Sequence, residues 1–418
     1  MKILVALHHL ELGGSQLNAL DFAAVVRDRG HDVMLFAAYA DKPGPVAEMA
    51  REKGLRLELV RHKRDSPERM PLRRSVTRAL RRIVAREGIE LVHAYEIPMI
   101  LDSFYGSYLG RGVPLICTIY GDYTPWWLPQ SPRLIVGGER IADSAEKAQS
   151  RRPAVLQPPV DTDGDSPGAV DGAEFREAHG LGSDIVVSIV SRLEPSMKGD
   201  SAEHAIKAIR YLDDPRIRLV IAGDGPSLAA LSAQAEQVNA ELGRPAVVLT
   251  GGLNDPRPLY AAADIGIGMG GSARRSMAFG KPQIVVGIKG WAKPFMPANA
   301  EEFLAGGFYG VGPGELDPRL LAGYIKDFAD QPALRAEVGA FSREFVLDYF
   351  SLKATATALE AMYKEASAQG YPLPHRLREA GRLAVCKTVS DGLPDGVKHG
   401  LRPLVRSLLP ERTSSAAG

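Results

Sequence analysis

Cysteine is nearly absent: Cys117 and Cys386 are the only two in 418 residues. Two thiols so far apart build neither a disulfide framework nor a cysteine-rich metal site. No apolar run reaches the ~18 residues that a membrane-crossing helix needs. The apolar opening Met1–Leu7 is too short for a secretory leader and ends at His8 and His9, so the expected compartment is the cytoplasm. An excess of one charge is missing as well. Lys and Arg number 51 against 50 Asp and Glu, a formal net charge of +1, so nothing at the whole-chain level speaks for nucleic acid as a partner. No short-period repeat occurs. What remains is the composition of an ordinary soluble protein, 45% hydrophobic and 24% charged, on a chain long enough for two or three domains with real cores.

What the chain does contain is a long alternation of short apolar runs and helical periodicity. Ile3–Leu7 reads as a buried parallel strand, followed by Gly13-Gly14, a helix up to Arg29-Gly30 and a strand at Asp32–Ala37. Further units follow: a helix over 46–52, strands over 56–60, 91–94 and 114–119, and a helix over 73–87 with Val76, Leu80, Ile83 and Val84 on one face. Leu134–Gly137 and an alternating segment up to Pro153 complete the first half. The stretch PAVLQPPVDTDGDSPGAVDG, 153–172, has the composition of a linker. A second series then begins, with strands over 185–190, 217–222, 246–250 and 264–268, helices over 202–211 and 228–242, and a last short strand at Phe308–Val311. The expected fold class is therefore α/β, with two doubly wound Rossmann-like domains facing each other across a cleft. The expected domains are 1–165 and 166–345, followed by a helix over 346–369 and a basic extension over 370–418.

One stretch organises the second half. ADIGIGMGGSARRSMAFGKPQIVVG, Ala263 to Gly287, reads as strand, glycine turn, helix over Ala273–Phe279 and strand. A helix N-terminus offers unpaired N–H groups and a partial positive charge, and glycines in front of it let a phosphate touch the backbone. The same glycines also fit a tight turn with no ligand. Three more turns sit at strand ends: Gly13-Gly14, Arg192–Lys198 (RLEPSMK) and Gly223-Asp224-Gly225-Pro226. Arg192 and Lys198 add a guanidinium fork and a point charge beside the glycine seat. Fixed cations there would stabilise the charge that develops on a leaving diphosphate.

These segments, in this order, resemble the GT-B glycosyltransferases of family 4, which carry a sugar from a nucleotide donor to an acceptor with retention. The resemblance rests on Gly13-Gly14-Ser15-Gln16, Arg29-Gly30-His31-Asp32-Val33, Leu91-Val92-His93-Ala94, Ser191-Arg192-Leu193 with Lys198-Gly199, Ala222–Pro226, Ala263-Asp264 and Met277–Pro282. It implies that Arg192 and Lys198 act on the diphosphate as the catalytic cations, that main chain near Leu253 contacts the base, and that Gly13 and Gly14 approach the donor. Gly270, Gly271, Ser272 and Ala273 complete the diphosphate seat. It implies neither a metal nor a cofactor beyond the nucleotide sugar, and a glycan or small molecule as acceptor.

The departures are specific. The family usually carries two glutamates eight positions apart; here those positions hold Ile267 and Arg275. A carboxylate at the second commonly clasps the ribose hydroxyls, and Arg275 cannot accept a hydrogen bond. Either other groups hold the ribose, or Arg274 or Arg275 adds a third cation to the phosphate site. Tyr120 stands where the family often has a histidine, and a phenol is a poor proton acceptor at neutral pH. No side-chain base is carried over; in the retaining mechanism usually discussed, a donor phosphate oxygen takes the proton. Acceptor-side candidates are His8, Tyr120 and the aromatic loop Tyr123, Trp126 and Trp127, whose faces suit a sugar ring. The basic stretch 61–86 fits either a solvated helix face or a peripheral contact with anionic lipid. Competing readings are a nucleotide-sugar epimerase of the same architecture, a non-catalytic nucleotide-sugar-binding relative, and an NAD enzyme built on Gly268-x-Gly270-x-x-Ala273. The last lacks its acidic residue, because Ile288-Lys289-Gly290 follows the next strand.

Overall fold

The computed structural model describes residues 1–62, 72–121, 123–149, 151–195, 198–310, 314 and 317–392. The chain divides into two compact units. The first comprises Met1–Gly137, Ile141–Val155 and the chain from Leu359; the second comprises Gly138–Arg140 and Leu156–Ala358.

The first unit is built on seven strands: β1 (Lys2–Leu7), β2 (Asp32–Tyr39), β3 (Arg56–Arg61), β4 (Leu91–Tyr95), β5 (Leu115–Ile119), β6 (Arg133–Val136) and β7 (Ala154–Val155). All pair in parallel, in the order β3-β2-β1-β4-β5-β6-β7. β1, β4 and β5 are buried along almost their whole length, as continuous apolar runs in a two-sided parallel sheet must be. The chain winds outward from β1 to β3, returns to β4 and winds the other way. The switch point therefore lies between β1 and β4. The helix Arg74–Glu87 follows its apolar period, burying Val76, Leu80, Ile83 and Val84, and stops at Gly88, whose left-handed φ of 65° closes its last turn onto Val84. The segment that reads as alternating before Pro153 is a helix, Glu139–Gln149, burying Ala142, Ala145 and Gln149. Residues 373–392 of the stretch after Gly370 also have a defined place. The helix Leu373–Gly392 buries Leu383 and Cys386 in the first core. Its Glu379 accepts from the amide of Ser131 (2.7 Å), and its Arg376 donates to the carbonyls of Tyr108 and Leu109 (2.7 and 2.6 Å).

The second unit holds β8 (Ile185–Val190), β9 (Ile217–Ala222), β10 (Val247–Gly251), β11 (Ile265–Gly268), β12 (Gln283–Val286) and β13 (Ala292–Pro294), in the order β10-β9-β8-β11-β12-β13. Only β13 runs antiparallel. It forms one edge of the sheet, whereas sequence reading expects the last short strand at Phe308–Val311. Of that segment, Gly310 makes an isolated bridge to Gly287 and Val311 lies outside the described residues. The switch point here falls between β8 and β11. A phenylalanine-rich core of Phe295, Phe303, Phe308, Phe345 and Phe350 packs under the helix Gly270–Ala278 through Ala273 and Met277. That helix starts three residues earlier than its periodicity suggests, because Met269 is already the extended cap (φ −139°, ψ 155°).

Candidate functional site

Ligands of open parallel sheets bind outside the carboxyl ends of the strands at the switch point. In the second unit that is where β8 and β11 end. Arg192 lies two residues beyond β8 and is exposed, while its neighbour Leu193 is fully buried. The loop is pinned by main chain: Ser191 donates to Ala222, Leu193 to Asp224 and Ser227 to Leu193, at 2.9–3.0 Å. Gly223 and Gly225 permit this, since side chains there would overlap the carbonyls of Ser191 and Leu193. Main-chain bonds thus hold the backbone on either side of the exposed Arg192. Lys198 opens the helix Lys198–Leu212; its side chain is outside the described atoms. Beyond β11, the N–H of Gly270 donates to Phe308 (2.7 Å). Gly271 faces open space, and the Ser272 hydroxyl donates back to Met269 (3.0 Å). Gly271 and Ser272 belong to the first turn, whose N–H groups have no partner within the helix. Leu253 is half-buried beyond β10, against the cluster containing Phe175, Val186 and Val220.

Gly270 is the position of this turn that requires glycine. It has φ of 56°, and an added Cβ would lie 2.6 Å from the Tyr309 hydroxyl. Gly270→Ala is expected to destabilise the protein by about 1–3 kcal/mol. Gly271→Ala, whose Cβ meets nothing within 4 Å, is the control and should match or exceed the parent's melting temperature. Equal melting of the two variants excludes strain from a side chain at position 270.

The first unit has the matching feature at β1 and β4. Gly13 is the extended cap (φ −166°, ψ 156°) and Gly14 the first residue of the helix Gly14–Asp28. The next residue, Ser15, donates its hydroxyl to Oε1 of Glu96 (2.5 Å), and the amide of Tyr120, just beyond β5, donates to the same oxygen (3.1 Å). Glu96 lies immediately after β4 with φ 66° and ψ 156°. Burial raises its carboxyl above the ordinary range, opposed by those two hydrogen bonds. Sequence reading passes over Glu96. The structure shows no cap bond from its side chain to the helix Ile97–Ser103.

Comparison with known proteins agrees with this fold. The family model described as Glycosyltransferase Family 4 matches residues 12–163, and that described as Glycosyl transferases group 1 matches residues 184–304. The chain belongs to the GT-B glycosyltransferases of family 4. Its fold is similar to Anabaena Alr3699/HepE in complex with UDP, at 18% identity and TM-score 0.67, over 87% of this chain and 100% of that one. It is similar to a glycosyltransferase from Rickettsia africae ESF-5 at 15% identity and TM-score 0.70, over 87% and 98%. The catalytic domain of starch synthase IV from Arabidopsis thaliana, bound to ADP and acarbose, aligns at 12% identity and TM-score 0.60, over 88% and 99%. No curated protein matches the sequence. Among the described residues, no helix of this glycosyltransferase is long and apolar enough to cross a membrane.

Several expected site residues of the glycosyltransferase turn out to be otherwise engaged. Arg275 donates Nε and Nη2 to the two oxygens of Asp165 (2.7 and 2.8 Å), a carboxylate whose side chain is only 5% exposed. Arg274 is buried, donates to Pro158 (2.7 Å) and Gly270 (3.3 Å), and lies 4.9 Å over the Phe350 ring. Neither is the additional phosphate cation the sequence suggests, because each fork already has acceptors. Trp126 and Trp127 are core residues, 8% and 4% exposed, and Trp127 lies under Lys387 of the C-terminal helix. The proline-flanked loop folds inward, so only Tyr123, 61% exposed, retains a free aromatic face. Tyr120 is half-buried, its ring 6.4 Å from Tyr95.

His8 is half-buried with its Nδ1 unpartnered, and burial, then His9 and Arg73, push its imidazole down to about 3. His93 lies between Tyr363 (2.8 Å) and Thr118 (2.7 Å), and burial pushes it to about 3 as well. Both are neutral when folded, whereas the unfolded chain takes up their protons below about pH 6.5. Stability is therefore complete above that pH and falls as the pH drops toward 3, by about 1.4 kcal/mol per pH unit for each group. Denaturant titrations across this range check the slope. His93→Gln should remove about half of it, and an unchanged slope in that variant removes His93 as a source.

Proposed function

We propose that the protein transfers a sugar from a nucleoside diphosphate donor to an acceptor hydroxyl, with retention at the anomeric carbon and with no metal ion or other cofactor. The observation that carries this reading is the position of Arg192 and of Gly270-Gly271-Ser272 at the carboxyl ends of β8 and β11, which flank the switch point of the second sheet. A diphosphate there would meet N–H groups of a first helical turn together with the Arg192 fork and Lys198. These fixed charges stabilise the leaving group as its bond breaks, the part a metal plays elsewhere. HepE, similar in fold, was crystallised with UDP and with UDP-glucose, which supports a UDP-sugar as donor. On this reading Gly13 and Gly14 approach the donor, Leu253 lies near the base, and His8, Tyr120 and Tyr123 belong to the acceptor side.

Thermal stabilisation by UDP, GDP, TDP and ADP sugars, combined with nucleotide release, tests the reading. Stabilisation and release with a UDP-sugar are expected. Stabilisation by NAD alone would overturn it, and binding without release to any acceptor or to water would favour a non-catalytic nucleotide-sugar-binding relative. Interconversion of the free nucleotide sugar would favour an epimerase. A peripheral contact with anionic lipid is supported by the exposed Arg74, Arg78, Arg81 and Arg82 of the helix Arg74–Glu87. Arg73 takes no part in it, being buried against Asp102 at 2.6 Å, and Lys63, Arg64 and Arg69 lie outside the described residues.

A further inference from the structure

We infer that Tyr309 is a further ligand of the donor diphosphate, its hydroxyl donating to a phosphate oxygen at the first turn of the helix Gly270–Ala278. The inference rests on the transfer reading above and concerns the second unit alone. Its first support is position. A side chain starting at Gly270 would begin 2.6 Å from the Tyr309 hydroxyl oxygen and 2.7 Å from the ring carbon that bears it. The hydroxyl end of the ring therefore lies against the turn that follows β11. The residue is 40% exposed, so a ligand can reach it, and among the described residues its hydroxyl has no hydrogen-bond partner. Covering Gly270 would need only the ring; the oxygen is left over for something else.

The second support is the backbone that puts the ring there. Gly307 and Phe308 both have left-handed φ, 66° and 63°. For a bulky residue such as phenylalanine this is an outlier, and such outliers collect at functional sites. Phe308 is held in it from two sides. Its ring is fully buried in the phenylalanine-rich core, and its carbonyl accepts the Gly270 N–H at 2.7 Å. One residue beyond Tyr309, Gly310 donates to the Val286 carbonyl (3.3 Å) and bridges Gly287. Tyr309 thus stands between two main-chain anchors, one on the turn after β11 and one on the end of β12. The bond that ties Phe308 to Gly270 also brings the next side chain to that turn.

The third support is what the turn itself lacks. Of its donors, the Gly270 N–H is spent on Phe308 and the Ser272 hydroxyl on Met269 (3.0 Å). The N–H groups of Gly271 and Ser272 remain for a phosphate. A diphosphate has more acceptor oxygens than two amides can satisfy, and a hydroxyl that donates to a charged oxygen makes one of the stronger hydrogen bonds. Tyr309 supplies that hydroxyl. As the anomeric C–O bond breaks, its electron pair stays on the diphosphate oxygen, and an O–H held at the phosphate stabilises the added charge. Tyr309 keeps its proton throughout; it donates a hydrogen bond and is no acid or base in the step.

The experiment uses the full chain, with Tyr309→Phe and Tyr309→Ala as variants. Affinity for UDP and for uridine, UDP release from saturating UDP-glucose, and melting temperature without ligand are measured for each. Tyr309→Phe removes the oxygen and keeps the ring, so it should melt within about 2 °C of the parent. It should bind UDP about 10-fold more weakly, and bind uridine, which has no phosphate, as the parent does. Its UDP release should fall by about 10-fold. Tyr309→Ala should lose at least as much UDP affinity. A UDP affinity of Tyr309→Phe within about twofold of the parent overturns the inference. An equal loss for UDP and uridine puts the hydroxyl at the nucleoside and overturns it too. A drop of more than about 5 °C in Tyr309→Phe without ligand makes the hydroxyl structural, with the same consequence. A parent protein that neither binds UDP nor releases it defeats the transfer reading itself, and the inference with it.

Discussion

Arg192→Ala is expected to abolish stabilisation by a nucleoside diphosphate sugar and to lower nucleotide release by about 100- to 1000-fold, the cost of removing one preorganised donor from developing charge. The prediction is sharp because the apo protein should not register the change. Arg192 is exposed, while its loop is fixed by Leu193, Asp224 and Ser227 through main-chain bonds that alanine leaves intact. Melting without ligand should move by no more than the ~0.5 kcal/mol typical of surface substitutions. Arg192→Lys keeps the charge but loses the bidentate fork, so it should recover only part of the activity. Equal UDP stabilisation in parent and Arg192→Ala would remove this residue from the donor site. An equal loss in apo stability and in activity would instead make it a structural residue.

The sequence carries the architecture because parallel strands buried on both faces leave continuous apolar runs, such as Ile3–Leu7 and Ile185–Val190, that stand out from the polar segments between them. The strand ends were legible for the same reason, and with them Gly13-Gly14, Arg192 and Gly270–Ser272. What escaped was long-range pairing. Nothing near Arg275 in sequence announces Asp165, 110 residues away, so a cation on a phosphate-facing helix reads as free. Trp126 and Trp127 look like a sugar-stacking loop until the helix Leu373–Gly392 is seen in the same core, and no periodicity links those two segments. Glu96 is hidden by its backbone. Its contacts depend on a φ that glycine usually occupies, and on a serine and an amide brought there from two other strand ends.

Arg275→Glu places at the family's usual position the carboxylate that this chain lacks, and it is expected to lower stability sharply rather than improve ribose binding. In the parent, two hydrogen bonds join Arg275 to Asp165, whose side chain is 5% exposed against 31% for the arginine. Removing the cation leaves a buried carboxylate uncompensated, which costs about 3–5 kcal/mol when a buried pair is broken. The new glutamate adds like-charge repulsion at the same spot. Partial exposure of Arg275 lets water screen some of this, so about 3 kcal/mol is the expected loss, or roughly 6–12 °C in melting. Asp165→Ser combined with Arg275→Glu should recover most of it, because the repulsion needs both carboxylates, and a double-mutant cycle gives the coupling directly. In that double variant the glutamate is free to accept from the ribose hydroxyls, so UDP should stabilise it at least as well as the parent. If Arg275→Glu melts with the parent, the Asp165 pair does not hold the arginine, and Arg275 returns to the phosphate site as the third cation.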